Sequence, residues 1–152
     1  MIQRKQTFFL IISFVLSITL FFLPLAEIEH SIKYIYKLCY LKQVGDTNTL
    51  LYIPYGNCIL NSFSALLLPV IIFLFKKRNL QMRLCGLAIL LNTTLLAAIF
   101  FYVDSYASKL NIEKVIYTYW VLIPIINILL IYIALHLIKK DEKLVRAADR
   151  LR

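Results

Sequence analysis

Two asparagines, Asn92 and Asn127, stand deep inside long apolar runs and are the polar groups most removed from either end of those runs. An amide in such surroundings can hold a polar substrate or hydrogen-bond to a neighbouring helix, the latter contributing on the order of 0.6 to 2 kcal/mol. Interhelical contact is the expectation. At about 1.5 Å per residue Asn92 lies about 12 Å beyond Leu84 and Asn127 about 16 Å from Ile138, within one turn of the same depth. The two are therefore expected to face each other. Small and polar stripes extend the pattern: Ser13 with Ser17, Ser62 with Ala65 and Pro69, Ala88 with Asn92, and Asn127 with Ala134. Such stripes let helices approach closely in lipid, where apolar area alone does not drive association.

Other chemistry is thinly represented. The apolar runs contain no Asp, Glu, Lys or Arg, whereas proton- and ion-coupled carriers keep an ionisable group at mid-membrane. The small four-helix multidrug exporters match in size but need a membrane carboxylate that this chain lacks. Cys39 and Cys58 fall in an oxidising compartment on the orientation derived below, so a disulfide is conceivable. Spacing alone does not establish it, and two unpaired small residues are the expectation. The Cys-x-x-Cys pair of a thiol oxidoreductase is missing, and Cys85 reads as a packing residue. His30 belongs to the outer loop and His136 stands near the inner mouth of the fourth span, too far apart across a bilayer to share a metal. No nucleophile motif, glycine-rich phosphate loop or carboxylate pair is present. The expectation is a protein that is not an enzyme, with no cofactor and no metal.

The elements that position these residues are apolar. The chain is 61% hydrophobic over 152 residues, with a mean hydropathy of +0.78, far above a soluble domain. Spans are expected at about 7–25, 58–75, 84–103 and 116–138, joined by a loop over 26–57, a basic turn and a short connection, and followed by a tail over 139–152. The first run is too long for a usual signal-peptide core and Pro24-Leu25-Ala26-Glu27 is a poor cleavage site, so it reads as an uncleaved helix. Pro69 is expected to kink the second span, and Pro124 sits one turn into the fourth. In the loop, Ile32, Tyr34 and Tyr36 alternate with Lys33, Ile35 and Lys37, and Gly45-Asp46-Thr47-Asn48 supplies turn chemistry before Leu50–Ile53. A short β-hairpin is preferred there over a helix with Ile28, Ile32, Ile35 and Cys39 on one face.

Charge fixes the orientation. The N-terminus, the turn around Lys76-Lys77-Arg78 and Arg83, and the tail hold twelve of the 17 Lys and Arg. By the positive-inside rule both termini and that turn are cytoplasmic. The net charge of +9 lies wholly on this side. Tyr55, Tyr102, Tyr106, Tyr117, Tyr119 and Trp120 gather at the opposite helix ends, where amphipathic rings settle among headgroups. Nucleic acid is excluded as a partner, because the cations flank apolar runs and form no aromatic-studded basic face. The partners expected are a bilayer with anionic headgroups, drawn to Lys139 and Lys140, and a cytoplasmic or membrane protein. Three acids among six bases in the tail exceed what lipid anchoring needs. Asp141, Glu142 and Asp149, with Arg146 and Arg150, form a docking candidate toward Lys76, Lys77, Arg78 and Arg83 or toward a partner.

Several stretches resemble one family: Met1-Ile2-Gln3-Arg4, Pro24-Leu25-Ala26, Leu80-Gln81-Met82-Arg83-Leu84-Cys85, and above all Lys140-Asp141-Glu142-Lys143-Leu144-Val145-Arg146-Ala147-Ala148-Asp149-Arg150-Leu151-Arg152. They are similar to the domain-of-unknown-function family 4293 of Bacteroidetes, uncharacterised four-helix membrane proteins. The resemblance implies a four-helix inner-membrane protein and implies no activity. The expected fold is thus an all-α membrane protein, a four-transmembrane-helix bundle of two hairpins with a short amphipathic cytoplasmic C-terminal helix. The expected role is an assembly or scaffold component of the bacterial inner membrane. A small oligomeric transporter or channel is the alternative, and a membrane-embedded enzyme a weaker one.

Overall fold

The computed structural model describes residues 3–29, 33–44, 50–52, 54–75, 77–109 and 115–150. Four α-helices carry most of the chain: α1 (Gln3–Thr19), α2 (Tyr55–Phe73), α3 (Arg78–Lys109) and α4 (Ile123–Arg150). Three helical stretches are long and apolar enough to cross a membrane, Tyr55–Phe73, Arg78–Lys109 and Tyr119–Val145, and a shorter apolar helix covers Lys5–Thr19. This is the composition of a helical membrane protein. The helices alternate in direction; α1 packs against α2 and α4, and α3 packs against the same two.

The connection between α1 and α2 is a sheet, which an all-α description leaves out. Strands β1 (Pro24–Glu29), β2 (Lys33–Lys37), β3 (Leu41–Val44), β4 (Leu50–Tyr52) and β5 (Val115–Tyr117) form one antiparallel sheet in the order β4-β3-β2-β1-β5. The alternation that favours a hairpin over a helix sets its register. Ala26 pairs with Tyr36 and Tyr36 with Leu41, while Ile28 pairs with Tyr34 and with Val115. Paired residues share a face, so these side chains pack on the helices, and Glu27, Ile35, Lys42 and Ile116 take the other face. The hairpin expected around Gly45–Asn48 is the β3–β4 pair; residues 45–49 themselves lie outside the described residues.

Two expected helix bounds are corrected. The apolar run over 7–25 does not stay helical: α1 ends at Thr19, a turn follows, and Pro24 opens β1. Proline suits the first residue of a strand, where its missing N–H is tolerated. At the other boundary Ile116 and Tyr117 belong to β5, not to a helix, and a 3-10 turn over Tyr119–Leu122 leads into α4. Thr118 N–H bonds Leu25 O at 2.9 Å, tying that entry to β1. Pro124 is then the second residue of α4, where no intrahelical partner is lost. Helix α2 runs on through Pro69, and the tail is a direct continuation of α4.

The core is layered. At the sheet end Leu20, Leu25, Ala26, Ile28, Tyr36, Leu95, Ile99, Val103 and Ile123 pack together. At the other, basic end Leu10, Leu68, Ile71, Cys85, Ala88, Ile131, Ala134 and Ile138 form a second cluster. Polar side chains fill the level between them.

Cys39 and Cys58 are joined in a disulfide with Cα atoms 5.0 Å apart. The expectation of two unpaired cysteines is thereby corrected: the turn after β2 delivers Cys39 to the first turn of α2, a proximity that a 19-residue separation does not reveal. Closing a loop of that length stabilises by about 3 kcal/mol. Under denaturing, non-reducing conditions an alkylating reagent should therefore modify Cys85 alone, and all three cysteines after reduction. Labelling of Cys39 or Cys58 before reduction would show the bond to be absent.

Candidate functional site

The polar level is built of two separate clasps. In the first, Ser17 donates its hydroxyl to Ser13 O at 3.0 Å, so its oxygen accepts from Asn127 Nδ2 at 3.0 Å. That orients the amide, and Ser13 Oγ donates to Asn127 Oδ1 at 3.1 Å. The ring locks α1 to α4. Asn61 of α2 joins from the side, donating to Ser17 O at 2.9 Å. This carbonyl lies in the last turn of α1, where Phe21 N–H has moved to Ile18 O, so a neighbouring helix supplies the missing cap.

The second clasp joins α2 to α3. Asn92 Nδ2 donates to Ser64 Oγ at 2.9 Å and to Ala88 O at 2.9 Å. The structure does not bring Asn92 and Asn127 together. They share a depth but sit in different clasps, because α2 offers its own polar stripe, Asn57, Asn61 and Ser64. Spacings of four and three put these on one helical face, and all are buried. That spacing was the signal available in sequence. The expected stripe of Ser62, Ala65 and Pro69 is corrected accordingly: Ala65 is buried, whereas Ser62 is half-buried and bonds Cys58 O of its own helix. Asn57 Nδ2 donates to Tyr36 Oη at 2.7 Å and fastens the sheet to α2. Three buried amide oxygens, Asn57 Oδ1, Asn61 Oδ1 and Asn92 Oδ1, have no hydrogen-bond partner among the described residues.

At the basic end a third set of contacts holds the tail. Asp141 is nearly buried, and Gln6 Nε2 of α1 donates to its Oδ2. Arg78, the first residue of α3, donates from Nη1 to Asp141 O at 3.1 Å. Gln81 Nε2 donates to Ile71 O at 3.0 Å, capping the last turn of α2. Of the docking candidates, Arg78 and Asp141 therefore meet directly, while Lys77, Arg83 and Glu142 line a groove beside them. Lys76 lies outside the described residues, as do the side chains of Arg146, Asp149 and Arg150. The tail's acids suggest salt bridges as the means of docking within the chain; the contact found instead uses the backbone carbonyl of Asp141 and the amide of Gln6.

At the sheet end Tyr117, in β5 ahead of the apolar helix, donates to Asp104 Oδ1 at 2.9 Å. Burial, then that hydrogen bond and the Asp104 charge, push its phenol up to about 12. Among the described residues no three His, Cys, Asp or Glu come together as a metal site would require.

Because the clasps share no partner, their losses should add. Asn92→Leu and Asn127→Leu should each destabilise by about 1 to 2 kcal/mol. In a double-mutant cycle their coupling should stay under about 0.5 kcal/mol, whereas Ser17→Ala and Asn127→Leu should couple by more than that. Unfolding in mixed detergent micelles reads both. The tail contact is equally testable: Arg78→Glu should expose the segment after Lys140 to protease and Arg83→Glu should not. Equal cleavage of the two variants would remove Arg78 from this role.

A search of curated proteins found none that matches the chain. A family model does match, over residues 2–151, nearly all of the sequence whose helices, sheet and clasps are described above. The protein belongs to the family described as a domain of unknown function, DUF4293.

Proposed function

We propose that the chain is a multi-pass protein of the bacterial inner membrane, a four-helix bundle with both termini cytoplasmic, and that it acts as a non-enzymatic assembly or scaffold component binding a protein partner through its tail. One observation carries this reading. Every buried polar or charged side chain among the described residues, Gln6, Ser13, Ser17, Asn57, Asn61, Ser64, Gln81, Asn92, Asn127 and Asp141, is bonded to a second element. The interior is committed to holding helices in register, and the chemically distinctive surfaces are at the two ends.

Four spans rather than three are supported by depth. Leu10, Ser13, Ser17 and Leu20 of α1 lie level with the basic-end cluster, the polar level and the sheet-end cluster respectively. Whatever depth the longer helices occupy, α1 shares it. Sidedness is supported by the twelve Lys and Arg that the sequence places in the N-terminus, the central turn and the tail and by the disulfide at the sheet end, which belongs in an oxidising compartment. Exposed Tyr55, Tyr119 and Trp120 at that end suit a headgroup layer.

A second reading, a small oligomeric transporter or channel, draws on the three unpaired amide oxygens. Against it, the Leu10–Leu68–Ile71–Ile131 layer separates those oxygens from the basic end.

Two measurements test the proposal. With Cys39 and Cys58 bonded and Cys85 buried, an added cysteine should be the reactive one. In spheroplasts a membrane-impermeant maleimide should label Tyr119→Cys at once and Leu144→Cys only after permeabilisation; the reverse pattern overturns the orientation. A tagged chain truncated after Lys140 should lose the partner that the full chain retains in native membranes, and an unchanged partner set sinks the docking role.

A further inference from the structure

We infer that the groove between the start of α3 and the tail of α4 is a binding site for the phosphate headgroup of an anionic phospholipid. This rests on the membrane reading above and adds a discrete site to it. The groove is open, measures about 510 Å³ and is lined by Lys77, Arg78, Asn79, Leu80, Arg83 and Glu142. Three cations face one acid there.

The arrangement matches a phosphate diester. The bond from Arg78 Nη1 to Asp141 O fixes the guanidinium against α4 and uses one of its five N–H donors. A planar fork held in place is the geometry that grips phosphate oxygens in pairs. Lys77 and Arg83 are exposed on the same groove and bring mobile charge to it. Asn79 adds an amide.

The apolar neighbours identify a lipid over a soluble anion. Leu80 lines the groove and is 41% exposed, and Phe75, which shares the adjoining recess with Arg78, is 47% exposed. A headgroup in the groove lets acyl chains lie along these side chains, whereas inorganic phosphate gains nothing from them. The site also stands where the apolar length of α2 ends and the cations begin, the level of a headgroup layer.

A second basic recess supplies the comparison. His136, Lys139, Lys140 and Lys143 line about 210 Å³, but these residues recur at helical spacing on a single face of α4. They attract anionic lipid diffusely, because the recess is lined from one helix alone and no guanidinium there is fixed by a second element.

The experiment places the full chain in nanodiscs of phosphatidylcholine with a minor fraction of phosphatidylglycerol and measures lipid retained after transfer to detergent. Phosphatidylglycerol should be retained over phosphatidylcholine. Lys77→Gln with Arg83→Gln should weaken the preference for phosphatidylglycerol over phosphatidylcholine by more than about tenfold, the loss of charge-assisted contacts to one bound phosphate, while Lys139→Gln with Lys143→Gln should change it less than about threefold. Equal losses in both double variants would mean diffuse attraction and overturn the site. So would inorganic phosphate that binds the detergent-solubilised protein as tightly as phosphatidylglycerol, which would assign the groove to a soluble anion. Nanodiscs expose both faces, so the result is independent of sidedness. A chain that does not enter them contradicts the membrane reading, whereas one that enters and retains no phosphatidylglycerol contradicts only this site.

Discussion

A polar group carried into an apolar helical interior must be satisfied by another helix, because water is not there to do it. This constraint organises the molecule. Two serines of α1 and one asparagine of α4 form a closed ring of hydrogen bonds, and an asparagine of α3 finds a serine of α2. The same requirement reaches the backbone. Helix ends leave carbonyls without partners, and two such carbonyls, Ser17 O and Ile71 O, are capped by Asn61 and Gln81 from neighbouring helices. Every one of these bonds is directional, so each also fixes the rotation and the height of the helices it joins. Apolar packing alone would tolerate a slide of one turn; a ring of three side chains does not.

The sheet extends the same logic beyond the helices. Once α1 stops at Thr19, the chain must return to α2 through residues whose amides need partners. Pairing β1 with β2 and β5 provides them, and ties the entry of α4 to the exit of α1 through Thr118 and Leu25. Tyr36 then does two things at once: its ring packs in the sheet-end cluster and its hydroxyl accepts from Asn57. The Cys39–Cys58 bond lies one residue from Asn57, so covalent and hydrogen-bonded attachments act on the same first turn of α2.

Sequence was most informative where one physical rule dominates. Hydropathy and the charge of the flanks gave the apolar runs, and the two-residue alternation around Tyr34 and Tyr36 gave the inward face of a strand. Asn92 and Asn127 were legible as buried joints at a common depth, because depth follows from counting residues along a helix. Their partners were not legible, because depth says nothing about which faces meet. The role of Asn61 is not legible, because it depends on α1 ending early enough for its last carbonyls to need a donor from a neighbouring helix. Neither the extent of the sheet nor the disulfide could be read from the loop alone: β5 reaches β1 from a connection some ninety residues further on in the chain, at Val115–Tyr117, and Cys39 meets Cys58 only through the turn between β2 and β3.

The two ends differ in how they are held. The sheet end is fixed by a covalent bond, a network of strand hydrogen bonds and a continuous apolar cluster. The basic end has an apolar cluster of its own, and beyond it the tail is held by a few polar contacts around Asp141. The Arg78 bond is half-buried beside an open groove, within reach of salt and competing ions, whereas the disulfide is not. A change in what binds near Arg78 would therefore bear first on the hold over the tail and leave the clasps and the sheet as they are. The polar level between the two ends keeps the helices in register whichever of those contacts is altered.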